Sequence, residues 1–97
     1  MPRYAILYNY TESGLRDIKN SPSRIRELMG QYESLGITVH GLYLSTGPYD
    51  LLEIVDIPNE QIGLVGLLAK AMTGNVRTTT MQVFSLDEFE EAASQLP

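Results

Sequence analysis

The segments "RYAILYNY" at 3–10 and "LLEIVDI" at 51–57 are apolar in both phases of a two-residue repeat. In the first, Tyr4, Ile6, Tyr8 and Tyr10 share one parity and Ala5 and Leu7 the other; in the second, Leu51, Val55 and Ile57 oppose Leu52 and Ile54. Strands with water on one side alternate apolar with polar residues, so these two belong to a sheet that is covered on both faces. A chain of 97 residues buries only about two thirds of its unfolded surface, so an additional interface would add to its stability.

The helical segments supply one cover. From Ser21, read as an N-cap with Pro22 at the first helical position, Ile25, Leu28, Met29, Tyr32 and Leu35 recur at three- and four-residue spacing. Gly36 ends that helix and Ile37 is placed for the contact that follows a glycine C-cap. Residues 37–45 and 50–57 read as two strands flanking the Gly47-Pro48 turn. A second helix is expected from Pro58 through Met72, with Ile62, Val65, Leu68 and Met72 on one face and Gly74 as its stop. "NVRTTTMQVFS" favours a strand through its threonines and valines. Ser85 and Glu88 form a capping box that opens a short last helix striped by Leu86, Phe89, Ala93 and Leu96. No repeat or linker divides the chain, so residues 1–97 read as a single domain. The order β-α-β-β-α-β plus a tail helix predicts an α+β, ferredoxin-like sandwich with both main helices on one face of an antiparallel sheet. The tail helix is too short to cover the other face, and a second copy of the sheet is the economical cover. The expected assembly is a dimeric α+β barrel or another sheet-to-sheet homo-oligomer.

The stretches "YAILYNYTESGLRDIKNSPSRIREL", "GLYLSTGPYDLLEIVDIP" and "GNVRTTTMQVFSLDEF" resemble the GYD domain proteins over nearly the whole chain. The Gly-Tyr-Asp signature falls on Gly47, Tyr49 and Asp50, with Pro48 between. The resemblance implies a ferredoxin-like fold of the dimeric-barrel type and an uncharacterised role. From Gly41 to Phe84 the pattern is also similar to the effector-binding domain of Lrp/AsnC-type regulators, which bind small molecules at subunit interfaces. Here an Asn separates Gly from Val in "GNVRTTT", and the DNA-binding helix-turn-helix that such regulators place N-terminally is missing.

Lys and Arg number 7 against 12 Asp and Glu, a formal charge of -5, and the basic residues are dispersed. That argues against nucleic acid or an anionic membrane as partner. With no cysteine and one histidine, thiolate chemistry is excluded and neither a metal nor another cofactor is expected. The N-terminal run is too short and too polar for a signal peptide or a span, so a cytoplasmic protein is expected.

Several residues carry candidate chemistry. Gly47, Pro48 and Asp50 serve an ordinary turn, with Asp50 accepting backbone hydrogen bonds; alternatively Tyr49 and Asp50 rim a ligand pocket, as the likeness to the regulators implies. Glu53 is a carboxylate in the middle of an apolar strand, which must reach water, find a cation or take up a proton. If the hairpin loop holds an even number of residues, 44 faces 51, 42 faces 53 and 40 faces 55. His40 and Glu53 are then diagonal neighbours roughly 7 Å apart and form a candidate catalytic pair; otherwise Glu53 pairs with Arg77 or Lys70. Arg77 beside three threonines suits recognition of a small organic acid. Tyr8 and Tyr43, with Tyr4 and Tyr10, either pack or line an apolar ligand cavity. Three functions follow: an oligomeric small-molecule-binding or sensing module, a cofactor-free dimeric-barrel enzyme of monooxygenase or isomerase type, and a structural assembly subunit.

Overall fold

The computed structural model describes residues 2–97. Strands β1 (Arg3–Tyr10), β2 (Thr38–Leu44), β3 (Leu51–Asp56) and β4 (Val76–Val83) form one antiparallel sheet in the order β2-β3-β1-β4. The helices are α1 (Glu12–Arg16), α2 (Ser21–Ser34), α3 (Glu60–Thr73) and α4 (Leu86–Ala93), with a 3₁₀ turn at Ile18–Asn20. This is the α+β, ferredoxin-like arrangement that the order of elements predicts.

The ends of the helices follow local chemistry. At the C-terminus of α2, Gly36 takes φ 78°, and the Ile37 amide donates to the Tyr32 carbonyl at 3.0 Å. Ile37 thereby enters the core, as its position after the glycine predicts. Gly74 closes α3 at φ 70°. The Ser85–Glu88 capping box is formed in both directions. Two expected starts are displaced. Asn20 rather than Ser21 is the N-cap of α2, because the 3₁₀ turn runs directly into the helix and Ser21 already has helical dihedrals; its hydroxyl lies 2.5 Å from the Tyr10 hydroxyl instead. Helix α3 begins at Glu60, not Pro58, because the Asn59 side chain caps it by accepting from the Ile62 amide at 3.0 Å.

Cross-strand register settles which parity faces the helices. Tyr4, Ile6 and Tyr8 stand opposite Val55, Glu53 and Leu51, and these residues meet Tyr32, Ile37 and Ile57 in one core with Ile25, Leu28 and Ile62 packed at its edge. The other parity of the sheet carries Ala5, Leu7, Leu52 and Ile54 together with Tyr43 and Met81. Among the described residues no helix layer packs on that face, which we call the open face.

Two apolar helix surfaces also lie outside the core. The stripe expected to hold α3 to the sheet does not do so: Val65, Leu68 and Met72 are exposed, and Leu64 with them. The sheet-facing residues are Gly63, Gly66, Leu67 and Lys70, of which Lys70 is buried. A buried carboxylate on β3 draws Lys70 inward and rotates the hydrophobic residues to the outside. Helix α4 stands away from the body. Every residue from Phe84 onward is exposed, and the molecule measures 53 × 31 × 19 Å with a radius of gyration of 15.1 Å, against about 12–13 Å for a compact chain of this length.

The motifs that distinguish the sequence touch one another. Gly14 of "TESG" is so close to the "GNV" turn that a Cβ built on it would stand 2.1 Å from the Asn75 carbonyl oxygen. The Thr11 amide donates to that same oxygen at 3.0 Å, and the Thr11 hydroxyl donates to the Gly74 carbonyl at 2.5 Å. The short helix α1, which no spacing pattern announces, is capped by Thr11 and anchored by this contact.

Candidate functional site

Glu53 lies at the centre of β3 on the helix side, 1% exposed. The Tyr8 hydroxyl, from the neighbouring strand, donates to its Oε1 at 2.8 Å. Lys70 reaches in from α3; its Nζ donates to the Tyr8 hydroxyl and stands 3.6 Å from Glu53 Oε1, an ion pair rather than a hydrogen bond. The same ammonium sits 4.9 Å from the ring centres of both Tyr8 and Tyr32, where the negative ring faces attract it. One cation, one anion and two phenols therefore share a single buried knot.

Burial dominates the electrostatics of this knot. It pushes the phenol of Tyr8 well above the ordinary tyrosine range, and the Glu53 carboxylate reinforces the effect. Tyr32 is raised for the same two reasons in the same order. Burial lowers the pKa of Lys70, and the attraction of Glu53 opposes that shift. Glu53 Oε2 is buried without a hydrogen-bond partner, and the Tyr32 hydroxyl, also buried, lies near enough to Tyr8 to interact with it but makes no hydrogen bond of regular geometry. Glu53 and Tyr32, with Lys70, line a cleft of about 950 Å³ between the sheet and the helices, whose walls include Ile6, Ile37, Val55 and Ile57. A smaller cleft, about 350 Å³, adjoins the opposite side of Glu53 and Lys70.

The structure separates His40 from Glu53. Leu44 faces Leu51 and Leu42 faces Glu53, as an even loop requires, but below them the ladder slips: Gly41 pairs with Ile54 and Val39 with Val55. The extra residue is His40, in a β-bulge, and its ring falls beside Arg3 and Asp56 rather than on the Glu53 side. Its Nε2 lies 2.7 Å from Asp56 Oδ2 and 3.0 Å from Arg3 Nη2. That nitrogen can donate to the carboxylate or accept from the guanidinium, not both. Arg3 also donates to Asp56 through Nε at 2.8 Å, and these two partners, Arg3 first and His40 second, hold the Asp56 carboxyl far below the usual carboxylate range.

The remaining candidates are scattered. Asp50 ties the hairpin to β1: its Oδ2 accepts from the Tyr10 amide at 2.8 Å, and its own amide donates to the Tyr8 carbonyl at 2.8 Å. Tyr49 is half-buried beside it. Arg77 pairs in register with Asn9 on the open-face parity and is exposed, so Lys70 and not Arg77 is the cation that meets Glu53. Tyr43 is exposed on the open face opposite Leu52, while Tyr8 belongs to the knot. Tyr32 read in the sequence only as part of a helical stripe. The signal for the knot was a pair of solitary charges, one carboxylate in an apolar strand and one ammonium in the apolar run "IGLVGLLAKAM".

Among the described residues no group of histidine, cysteine and carboxylate side chains is arranged to hold a metal ion, and no helix is long and apolar enough to cross a membrane. The chain is 29% identical over 83 residues to a protein of Thermus thermophilus named glutamine synthetase and cystathionine beta-lyase binding protein, an alignment covering 84% of this chain and 87% of the relative. No solved structure matches at a significant level. The model of the GYD domain matches residues 4–93, spanning the sheet, the knot and α4, and the chain belongs to the GYD domain family.

Proposed function

We propose that this chain is a non-enzymatic binding module that works as a homo-oligomer and holds a small organic molecule in the cleft between its helices and its sheet. The observation that carries the reading is the cleft itself, apolar over most of its lining and floored by a buried carboxylate with an unsatisfied oxygen. A binding role is favoured over proton-transfer chemistry because Glu53 is already paired with Lys70 and Tyr8, and His40 stands across the sheet from it. The oligomer is supported by the apolar open face, where Leu7, Leu52 and Ile54 have no helix above them.

A protein partner is a second reading. It is favoured by the exposed row Leu64, Val65, Leu68 and Met72 on α3 and by the name of the Thermus thermophilus relative, which describes binding to two enzymes. The test separates faces. Sedimentation of the wild-type chain at micromolar concentration should give a dimer or larger species. Leu7→Asp, on the open face, should dissociate it with the subunit still folded, whereas Ile6→Asp, in the core, should unfold the subunit. A wild-type chain sedimenting as a single subunit, or identical behaviour of the two variants, would refute assembly through the sheet.

A further inference from the structure

The two edges of the sheet are not alike. Strand β2 is broken by the bulge at His40, a device that blunts an edge against further pairing. Strand β4, at the other edge, follows β1 without a break from Val76 opposite Tyr10 to Val83 opposite Arg3. It holds no proline, and Arg77 through Gln82 are all exposed. Among the described residues nothing else hydrogen-bonds to its backbone, so an uncovered row eight residues long faces outward. We infer that this edge takes the same edge of a second copy: two β4 strands pair antiparallel about a two-fold axis at Thr80, joining two four-stranded sheets into one. The contact is separate from the open face.

The helix layer fits this operation. An axis perpendicular to the sheet keeps the helices of both copies on one side. Lys70 of α3 stands over the Tyr8 ring of β1, and Leu64 and Leu67 line the large cleft with Thr80 and Gln82 of β4, so α3 lies above the β1–β4 pair. Its two-fold mate is then two strand spacings away, about 10 Å, the separation at which helices pack. Ile62 and Val65 occupy the flank toward α2, where they line a small cleft with Leu35. Leu64 and Leu68, 58% and 56% exposed, share the flank toward β4 and meet their counterparts across the axis. Thr78, Thr80 and Gln82, exposed on the helix side of β4, are covered by the same contact.

Charge selects the register. Residues directly opposite one another share a face of the sheet, so full overlap of Val76–Val83 puts either Thr79 or Thr80 on the axis. Arg77 joins no ion pair among the described residues. With Thr80 on the axis it stands opposite Val83 of the second copy, beside the start of α4 and its acidic first turn, Asp87 and Glu88. With Thr79 there, Arg77 would fall back opposite Met81 and away from those carboxylates. Arg77 is the only charge on β4, so like charges never face one another along the joined strands.

The test uses the absence of cysteine from this chain. Thr80→Cys, Thr78→Cys and, on the exposed side of α2, Gly30→Cys are oxidised separately at micromolar concentration. Residues that face one another in an antiparallel pair have Cα atoms about 4.5–5.5 Å apart, within reach of a disulfide. The two copies of position 78 are four residues out of step, about 13 Å apart, and beyond it. Held in the pair, the thiols at position 80 meet at about millimolar effective concentration, so Thr80→Cys should crosslink about a hundredfold or more faster than either control. Thr80→Lys sets two ammonium groups against each other. It should sediment at half the wild-type mass with unchanged circular dichroism, and mixing it with Thr80→Glu should restore the pair. Adding Leu7→Asp, which breaks the open face, should leave the Thr80→Cys crosslink intact, so this pairing and assembly through the open face fail separately. Crosslinking of Thr80→Cys no faster than the controls would overturn the pairing. A wild-type mass for Thr80→Lys would overturn it also, as would a wild-type chain whose β4 pairs only with a strand from another protein.

Discussion

Removing Lys70 should expose how the interior of this protein is balanced. In Lys70→Met the aliphatic stem is kept and the ammonium lost, leaving the Glu53 carboxylate 1% exposed with the Tyr8 hydroxyl as its one donor. Breaking a buried pair from one side costs about 3–5 kcal/mol, a large part of the roughly 5–15 kcal/mol that holds a domain together. Glu53→Leu alone strands the other charge, but its loss is smaller, because burial already lowers the pKa of Lys70 and the amine can shed its proton. The double variant replaces the pair by two apolar side chains. That exchange is neutral or favourable by about 1–4 kcal/mol, offset by about 1–3 kcal/mol for the Tyr8 hydroxyl left without partners. The double variant should therefore lie near wild type, and the two changes should be non-additive by about 3 kcal/mol or more. Urea unfolding followed by far-ultraviolet circular dichroism measures this directly, with an unchanged denaturant slope showing that the native and unfolded states keep their extents. Arg77→Met, on the opposite face, should couple to Glu53 by less than about 0.5 kcal/mol. Additive single changes of under about 1 kcal/mol each would mean that Glu53 is solvated, and the buried-pair argument would fail.

Further outcomes are expected elsewhere in the fold. Gly14→Ala places a Cβ 2.1 Å from the Asn75 carbonyl oxygen and should destabilise the chain by about 1–3 kcal/mol, whereas Gly30→Ala, with nothing within 4 Å of the new atom, should stabilise α2 by about 0.4–1 kcal/mol; equal melting temperatures for the two would contradict the packing at "TESG". The Asp56 carboxyl is depressed by Arg3 and His40, so its contribution is complete above the unfolded pKa of about 4 and is lost as pH falls toward the folded value. Stability measured on acidification below about pH 4 should fall less steeply in Asp56→Asn, and equal slopes would show the cluster to be inert.

Much of this fold was legible because it is written in regular residue spacings and local end signals. Both strand parities of β1, the glycine stops at Gly36 and Gly74 and the capping box at Ser85 each announce themselves through local rules, and Asp50 performs the backbone role that turn chemistry assigns it. The face of α3 was not legible, since a helix apolar nearly all round offers no preferred side, and the deciding residue was its one lysine. The candidate site was half legible. The strangeness of Glu53 could be read, but pairing it with His40 required an unbroken ladder. The break is nonetheless recorded in "ITVHGLYL": the core residues Ile37 and Val39 are odd-numbered and Leu42 is even-numbered, a change of phase that falls on His40 and Gly41.

That slip in phase bears on how freely the length of this chain can change. Below the bulge β2 counts odd toward the core and above it even, so His40 is the one surplus unit between two segments that are each in step with β3. Deleting His40 would bring Val39 and Gly41 into consecutive pairing with Val55 and Ile54, giving an uninterrupted ladder in which no other side chain changes sides. Deleting a residue outside the bulge, such as Tyr43, would instead turn part of the strand over and send Leu42 or Leu44 to the open face. The strand thus carries a single point at which a residue can be gained or lost without rewriting the interior, and the polar cluster of Arg3, His40 and Asp56 is what the sequence has installed there.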